Sequence, residues 1–399
     1  MGLTGDEAVA YAIKQVEPDV VAAYPITPQT IIVERISEYV ANGEIKTEYI
    51  AVESEHSAMS ACIGAAAVGA RAFTATASAG LAFMWETLYI AASCRLPIVM
   101  AIVNRALSAP INIHCDHSDS MGARDSGWIQ IYCENSQEAY DAAIQAWKIA
   151  EHPDVLLPVM FCLDGFVLSH TLENVHTLPD EDVKEFIGER KFVKVRSHEG
   201  REVPFVLDPE NPITIGPLDL YDFYFEHKRQ QVEAMKNAKK VIVDVGREYG
   251  KISGREYGLL EPYKLESAEV AIVGLGSTMG TAKVVVDKLR EKGRKVGLLK
   301  IRAFRPFPYE EVIKELEHVE VIGVLDRSLS FGAQGGPLFL EIRSAFYDFE
   351  RRPLISNYVY GLGGRDMPPD LIMQIFDDLE KIKEKGRVDV LLKFIGLRE

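Results

Sequence analysis

Apolar residues along this chain alternate between short unbroken runs and stripes spaced three or four apart, the two signatures of strand and helix. Val20 to Tyr24 is a run and predicts a strand. Ile31, Ile32, Ile36 and Val40 then share one helical face, with Thr27 as the expected N-cap, Pro28 at the first helical position and Asn42-Gly43 as the stop. Thr47 to Val52 predicts a second strand, and Ser54 caps an expected helix through Ala70. Runs at Arg71 to Ala77 and Ile98 to Val103 flank a helix from Leu81 to Ser93. Trp128 to Cys133, a helix capped by Ser136, and Val155 to Leu163 continue the series. This rhythm predicts an α/β fold whose mainly parallel sheet carries helices on both faces.

The pattern fails between His176 and Pro217, where prolines at 179, 204, 209, 212 and 217 predict a long excursion or linker. A helix is expected over roughly Tyr221 to Val243, then a Gly-rich polar stretch to about Ser267. Strands at Val270 to Val273, Val296 to Ile301, Val319 to Leu325 and Ile355 to Tyr360 predict a second, smaller α/β domain. The expected division is residues 1–262 and 263–399.

Composition narrows the function. With 399 residues, 47% hydrophobic and 26% charged, the chain is long enough for two or three ordinary globular domains. A net charge of −15 argues against a nucleic-acid partner, which needs a basic face. The N-terminus lacks a basic, apolar leader, and no apolar run approaches the ~20 residues of a membrane span. A cytoplasmic enzyme or subunit is expected. Cys62, Cys94, Cys115, Cys133 and Cys162 are scattered and contain no C-x-x-C pair, so this chain is expected to hold neither disulfides nor an iron–sulfur cluster.

Two segments imitate binding motifs. Gly274-Leu275-Gly276-Ser277-Thr278-Met279-Gly280 follows a strand and opens a helix, but the spacing is wrong for a dinucleotide loop. The following strand ends at Arg302-Ala303-Phe304, without the ribose-gripping acid. A tight turn is the favoured reading, with a nicotinamide dehydrogenase as the competing one. His114-Cys115-Asp116-His117 gathers four potential ligands too close together to reach one ion, which favours a polar active-site loop over a metal site.

Three further segments offer chemistry. Glu55 lies in the first turn of its helix, where a carboxylate suits the dipole whether or not it has another role. Behind it, Ala58 to Ala70 is so poor in large side chains that a subunit or cofactor is expected to approach closely. Thr27 sits between two prolines on a rigid loop, either as a cap or as a presented hydroxyl. Arg105 ends a strand at the ligand-binding edge of the sheet, its fork suited to a carboxylate or to a structural ion pair.

Together, Ala23-Tyr24-Pro25-Ile26-Thr27-Pro28, Val52-Glu53-Ser54-Glu55-His56-Ser57 and Asn104-Arg105-Ala106-Leu107-Ser108-Ala109-Pro110 resemble the α subunits of multi-subunit 2-oxoacid:ferredoxin oxidoreductases, most closely the pyruvate type. Phe304-Arg305-Pro306-Phe307-Pro308 and Gly361-Leu362-Gly363-Gly364-Arg365-Asp366 extend the resemblance into the second domain. It implies a thiamine-diphosphate pyrimidine-binding domain followed by a transketolase C-terminal-like domain. Glu55 is implied to bind the aminopyrimidine ring and promote its imino tautomer, Arg105 to clamp the substrate carboxylate and Thr27 to orient the 2-oxo group. Because the family's Gly-Asp-Gly motif is missing, thiamine diphosphate is implied to be shared with a β subunit that carries the diphosphate-binding domain and Mg²⁺. The [4Fe-4S] clusters are implied to lie in partner subunits, γ and a ferredoxin-like δ among them, with ferredoxin as electron carrier and pyruvate and CoA as substrates. No metal ligand is assigned to this chain. A branched-chain (2-oxoisovalerate) enzyme and a non-catalytic assembly subunit remain as alternatives.

Overall fold

The alternation builds a seven-stranded sheet in the computed structural model, which describes residues 1–197 and 199–398. The strand order is Ala303–Arg305, Ile129–Tyr132, Val159–Asp164, Val99–Asn104, Ala72–Thr76, Val20–Ala23, Glu48–Ala51. All neighbours are parallel except the first pair. The three central strands are buried at every position, which explains why they read as continuous apolar runs. Helices Gly5–Val16, Ser136–Glu151 and Tyr224–Ser253 cover one face, and Glu55–Ala67 and Trp85–Ser93 cover the other.

The second sheet runs Leu260–Tyr263, Val296–Ile301, Val270–Gly274, Val321–Asp326, Leu354–Val359, Leu392–Phe394, parallel except at the Leu260–Tyr263 edge. The line expected at 262/263 therefore passes through this edge strand. Just after Val296–Ile301, Ala303–Arg305 crosses over to pair with Ile129–Tyr132, so the Phe304-Arg305-Pro306 segment joins the two sheets.

Several local expectations are corrected. Thr27 is not a helix cap: Gln29 N–H closes a turn onto Ile26 O, the Thr27–Pro28 bond is cis, and the helix runs Thr30–Ala41. Ser54 does cap its helix, accepting from Ser57 N–H, but that helix ends at Ala67. Asn135 rather than Ser136 caps the next long helix, accepting from Glu138 N–H. The single helix expected over Leu81 to Ser93 is two, Ser78–Phe83 and Trp85–Ser93. The Gly-rich stretch after Val243 continues a helix to Ser253 because the chain doubles back over it. A Cβ at Gly246 would lie 1.8 Å from Tyr257 O. No helix among the described residues is long and apolar enough to cross a membrane.

Candidate active site

The strands Val20–Ala23 and Ala72–Thr76 are neighbours, but the chain leaves them in opposite directions across the sheet. Their C-terminal loops flank the crevice where open α/β sheets bind ligands. Loops following Glu48–Ala51 and Val99–Asn104 reach the same edge, so Thr27, Glu55 and Arg105 arrive there from three different strands.

Arg105 is buried, and its side chain is held by main-chain oxygens instead of a carboxylate. Its Nη1 donates to Thr27 O at 3.0 Å and its Nε to Asn112 O at 3.2 Å. Among the described residues it has no ion-pair partner. The Thr27 hydroxyl is exposed and makes no hydrogen bond among the described residues. Asn112 Nδ2 donates in turn to Gly363 O at 3.1 Å. Gly363 and Gly364 have φ of +61° and +79°, and side chains on them would strike Asn112 and His114, so both positions require glycine. The second domain thus holds the back of the Arg105 loop.

Glu55 is only 7% exposed, yet among the described residues its carboxylate has neither a hydrogen bond nor an ion pair. Gly80 lies beside it: a Cβ there would come within 2.6 Å of Glu55 Oε1 and 2.5 Å of Thr76 Oγ1. Thr76 Oγ1 is itself buried without a partner. The Glu55 carboxylate, on a helix rich in alanine, thus keeps hydrogen-bonding capacity that no described residue meets.

Behind these groups is a residue that composition and spacing did not single out. Asp119 is buried and accepts four hydrogen bonds, from Ser78 N–H (2.9 Å), Arg105 N–H (3.0 Å), Asn104 Nδ2 (2.8 Å) and Ser120 N–H (2.7 Å). Burial pushes its carboxyl up to about 6, against the pull of those donors. The only sequence signal was its place in the polar loop that begins at His114.

The Gly274 loop receives a protein carboxylate. Asp164, at the end of a first-domain strand, accepts from Ser277 N–H (3.1 Å) and from Ser277 Oγ. Arg327 Nη1 lies 3.0 Å from Asp164 Oδ2, and His117 Nε2 lies 2.7 Å from Oδ1. Burial alone would raise the Asp164 carboxyl, but His117 and Arg327 outweigh it and hold it below the ordinary range. Ser277, through its N–H and its hydroxyl, therefore anchors the loop of one domain to a carboxylate of the other, where a nucleotide motif would meet phosphate. Cys115, His117 and Asp164 place ligand atoms within 4.8 Å of one another, but the Arg327 guanidinium already supplies the positive charge there. All five cysteines are free, four of them buried; burial pushes the Cys62 thiol up to about 12.

Arg124 Nη1 donates to Met121 O at 2.7 Å, and Ile111 and Ile113 are 75% and 41% exposed.

Residues 11–247 match the family described as pyruvate flavodoxin/ferredoxin oxidoreductase, thiamine diphosphate-binding, and residues 268–372 match pyruvate:ferredoxin oxidoreductase core domain II. The chain is 58% identical to pyruvate synthase subunit PorA of Thermotoga maritima and 52% identical to that of Methanocaldococcus jannaschii. In both cases the match covers 100% of this chain and 98% of the relative. It is 47% identical to ketoisovalerate oxidoreductase subunit VorA of Pyrococcus abyssi, over 99% of this chain and 97% of that one. Among solved structures, a 2-oxoglutarate:ferredoxin oxidoreductase from Magnetococcus marinus superposes with a TM-score of 0.74 at 18% identity. The match covers 95% of this chain and 65% of that one, just under two thirds of its length. A split-gene transketolase tetramer gives a TM-score of 0.55 at 12% identity, covering 96% of this chain and 100% of that one. These two likenesses bear on the fold: a thiamine-type α/β domain followed by a transketolase C-terminal-like one.

Proposed function

The chain belongs to the pyruvate flavodoxin/ferredoxin oxidoreductase family, as a pyruvate:ferredoxin oxidoreductase subunit, and on that premise we propose that it carries half of a shared thiamine-diphosphate site. The reaction is oxidative decarboxylation of pyruvate with CoA to acetyl-CoA and CO₂, reducing ferredoxin, or its reverse. Pyruvate is favoured over 2-oxoisovalerate because two pyruvate synthase subunits reach 58% and 52% identity, against 47% for the ketoisovalerate subunit of Pyrococcus abyssi, which itself exceeds the 46% and 44% of other pyruvate synthase subunits.

The residues present fit the cofactor's pyrimidine end. A flat heteroaromatic ring that donates an N–H needs an acceptor without a competitor, and Glu55 meets that need. Gly80 leaves the Glu55 side chain the space to lie against the Ser78–Phe83 helix, where a Cβ would strike its Oε1. Thiamine diphosphate, when bound, supplies a carbon nucleophile for the 2-oxo carbon and a sink for the electron pair left by CO₂.

In this reading Glu55 accepts the hydrogen bond of the pyrimidine ring nitrogen and keeps a proton at that atom. Arg105 is pre-aligned: Thr27 O and Asn112 O fix Nη1 and Nε, leaving Nη2 to meet the substrate carboxylate. The Thr27 hydroxyl, presented a few atoms away on the same tie, donates to the 2-oxo oxygen. Arg105 thereby sets the spacing between the carboxylate and oxo contacts.

Everything else belongs to partner chains: the diphosphate and Mg²⁺ site to a β-type subunit, and the [4Fe-4S] clusters to γ- and ferredoxin-like δ-type subunits. Supporting this, the sequence has no Gly-Asp-Gly motif, and its cysteines are dispersed and mostly buried. The observation that carries the proposal is the Glu55 carboxylate, which sits on a side chain only 7% exposed and has no partner among the described residues. Copurification of the complex, followed by subunit separation and cofactor analysis, tests it. One thiamine diphosphate per pair of chains and no iron on this chain are expected. Stoichiometric iron on this chain, or a complex devoid of thiamine diphosphate, would refute it.

A further inference from the structure

Asp119 joins the two halves of the site described above, and none of the roles so far assigned uses it. Its Oδ2 accepts from Ser78 N–H and Arg105 N–H, and its Oδ1 from Asn104 Nδ2 and Ser120 N–H. Ser78 opens the Ser78–Phe83 helix that carries Gly80 beneath Glu55. It has a φ of +46°, uncommon for a residue with a side chain, and its Oγ donates to Ala106 O at 2.7 Å. The loops following two adjacent strands thus converge on one carboxylate.

We propose that Asp119 is a positioning residue for catalysis: its carboxylate locks the Arg105 main chain to the first turn of the Ser78–Phe83 helix, fixing the distance between the substrate clamp and the surface under Glu55. This rests on the roles given above to Arg105 and Glu55. Only a carboxylate satisfies the arrangement. Each oxygen receives two N–H donors, so an asparagine in either orientation points its amide hydrogens at two other donors.

The ionisable groups facing Asp119 are few. The Arg105 guanidinium turns away to Thr27 O, and the His117 ring turns to Asp164. The Tyr132 hydroxyl bonds Ser120 Oγ, which accepts from the same Asn104 Nδ2 that reaches Asp119, and the Cys162 and Cys115 thiols lie nearby; burial holds all three in the protonated form. Protonating Asp119 converts one acceptor to a donor and loosens the lock. With the carboxyl at about 6, kcat/KM should fall as pH drops through that region.

The test uses the assembled complex, comparing Asp119→Asn with Glu55→Gln and Arg105→Lys. A misplacement on the order of 1 Å can cost ~10²-fold, so Asp119→Asn should lower kcat/KM for pyruvate by about 10- to 100-fold, with KM for pyruvate raised. A purely structural role would reduce the active fraction, lowering kcat at unchanged KM, and that result overturns the proposal. Asn104→Ala gives an independent arm should Asp119→Asn not assemble. Removing one donor raises the Asp119 carboxyl further and should shift the acid limb of kcat/KM to higher pH; an unmoved limb overturns the proposal. Normal kinetics for Asp119→Asn beside two crippled variants overturns this inference alone. Normal kinetics for Glu55→Gln and Arg105→Lys overturns the site reading and this inference with it.

Discussion

Arg105 Nη1 donates to the main-chain oxygen of Thr27 at 3.0 Å, so the guanidinium and the proline-flanked loop form a single unit. The bond ties the cation to the backbone that presents the Thr27 hydroxyl. Arg105→Lys should therefore disturb two substrate contacts at once, since one ammonium cannot hold Thr27 O and Asn112 O and still offer a planar fork. A lost charge-assisted hydrogen bond is worth about 1.5–3 kcal/mol, or roughly 10- to 100-fold in kcat/KM for pyruvate. Steady-state kinetics of the complex measure this, and unchanged constants would move the carboxylate site elsewhere.

Glu55→Gln keeps the shape of a residue whose carboxylate has no protein partner among the described residues, so the fold should hold. Turnover should drop by ~10²–10⁴, the typical worth of a positioned proton carrier. Near-normal turnover would leave Glu55 with only its helix-stabilising role.

Asp164→Asn tests the contact between domains. Asp164 is buried between Arg327, His117 and Ser277, and removing its charge leaves the Arg327 guanidinium buried and unpaired. Breaking such a pair typically costs about 3–5 kcal/mol, readable by denaturant unfolding. The sign with pH follows from the depressed folded-state value. Asp164's contribution is fully present above the ordinary carboxylate pKa of about 3.9 and is lost as pH falls through its folded value. The gap between wild type and variant should stay constant from neutral pH to about 4 and shrink below that. A gap already closing near neutrality would contradict the assignment.

Much of this was legible in the sequence for physical reasons. Buried parallel strands read as unbroken apolar runs, and Ser54 caps its helix as its place before Glu55 implied. Thr27 misled because Thr-Pro reads as a helix start, whereas the turn from Ile26 to Gln29 delays the helix to Thr30. Gly246 and Gly250 read as loop but serve close packing against Tyr257 and Glu256. Asp119 and Asp164 were not legible as site residues, because their partners Ser78, Ser277 and Arg327 are remote in sequence and meet only after folding. The wrong spacing at Gly274 was readable; that Asp164 occupies the loop was not.

Substrate choice should favour pyruvate. The second carboxylate of 2-oxoglutarate needs another cation, and the Arg124 guanidinium is turned to Met121 O at 2.7 Å. The expected order of kcat/KM is pyruvate above 2-oxoisovalerate and 2-oxoglutarate. Equal or better use of 2-oxoisovalerate would reassign the substrate while leaving the site intact.

The most direct measurement is CO₂ release and electron transfer from pyruvate by this chain alone, with saturating thiamine diphosphate, Mg²⁺, CoA and an electron acceptor. The same assay is then repeated after the partner subunits are added. A chain holding Glu55, Thr27 and Arg105 but no diphosphate site or cluster should be inactive alone and active on reconstitution. Oxidative decarboxylation by the isolated chain would contradict the shared-site account.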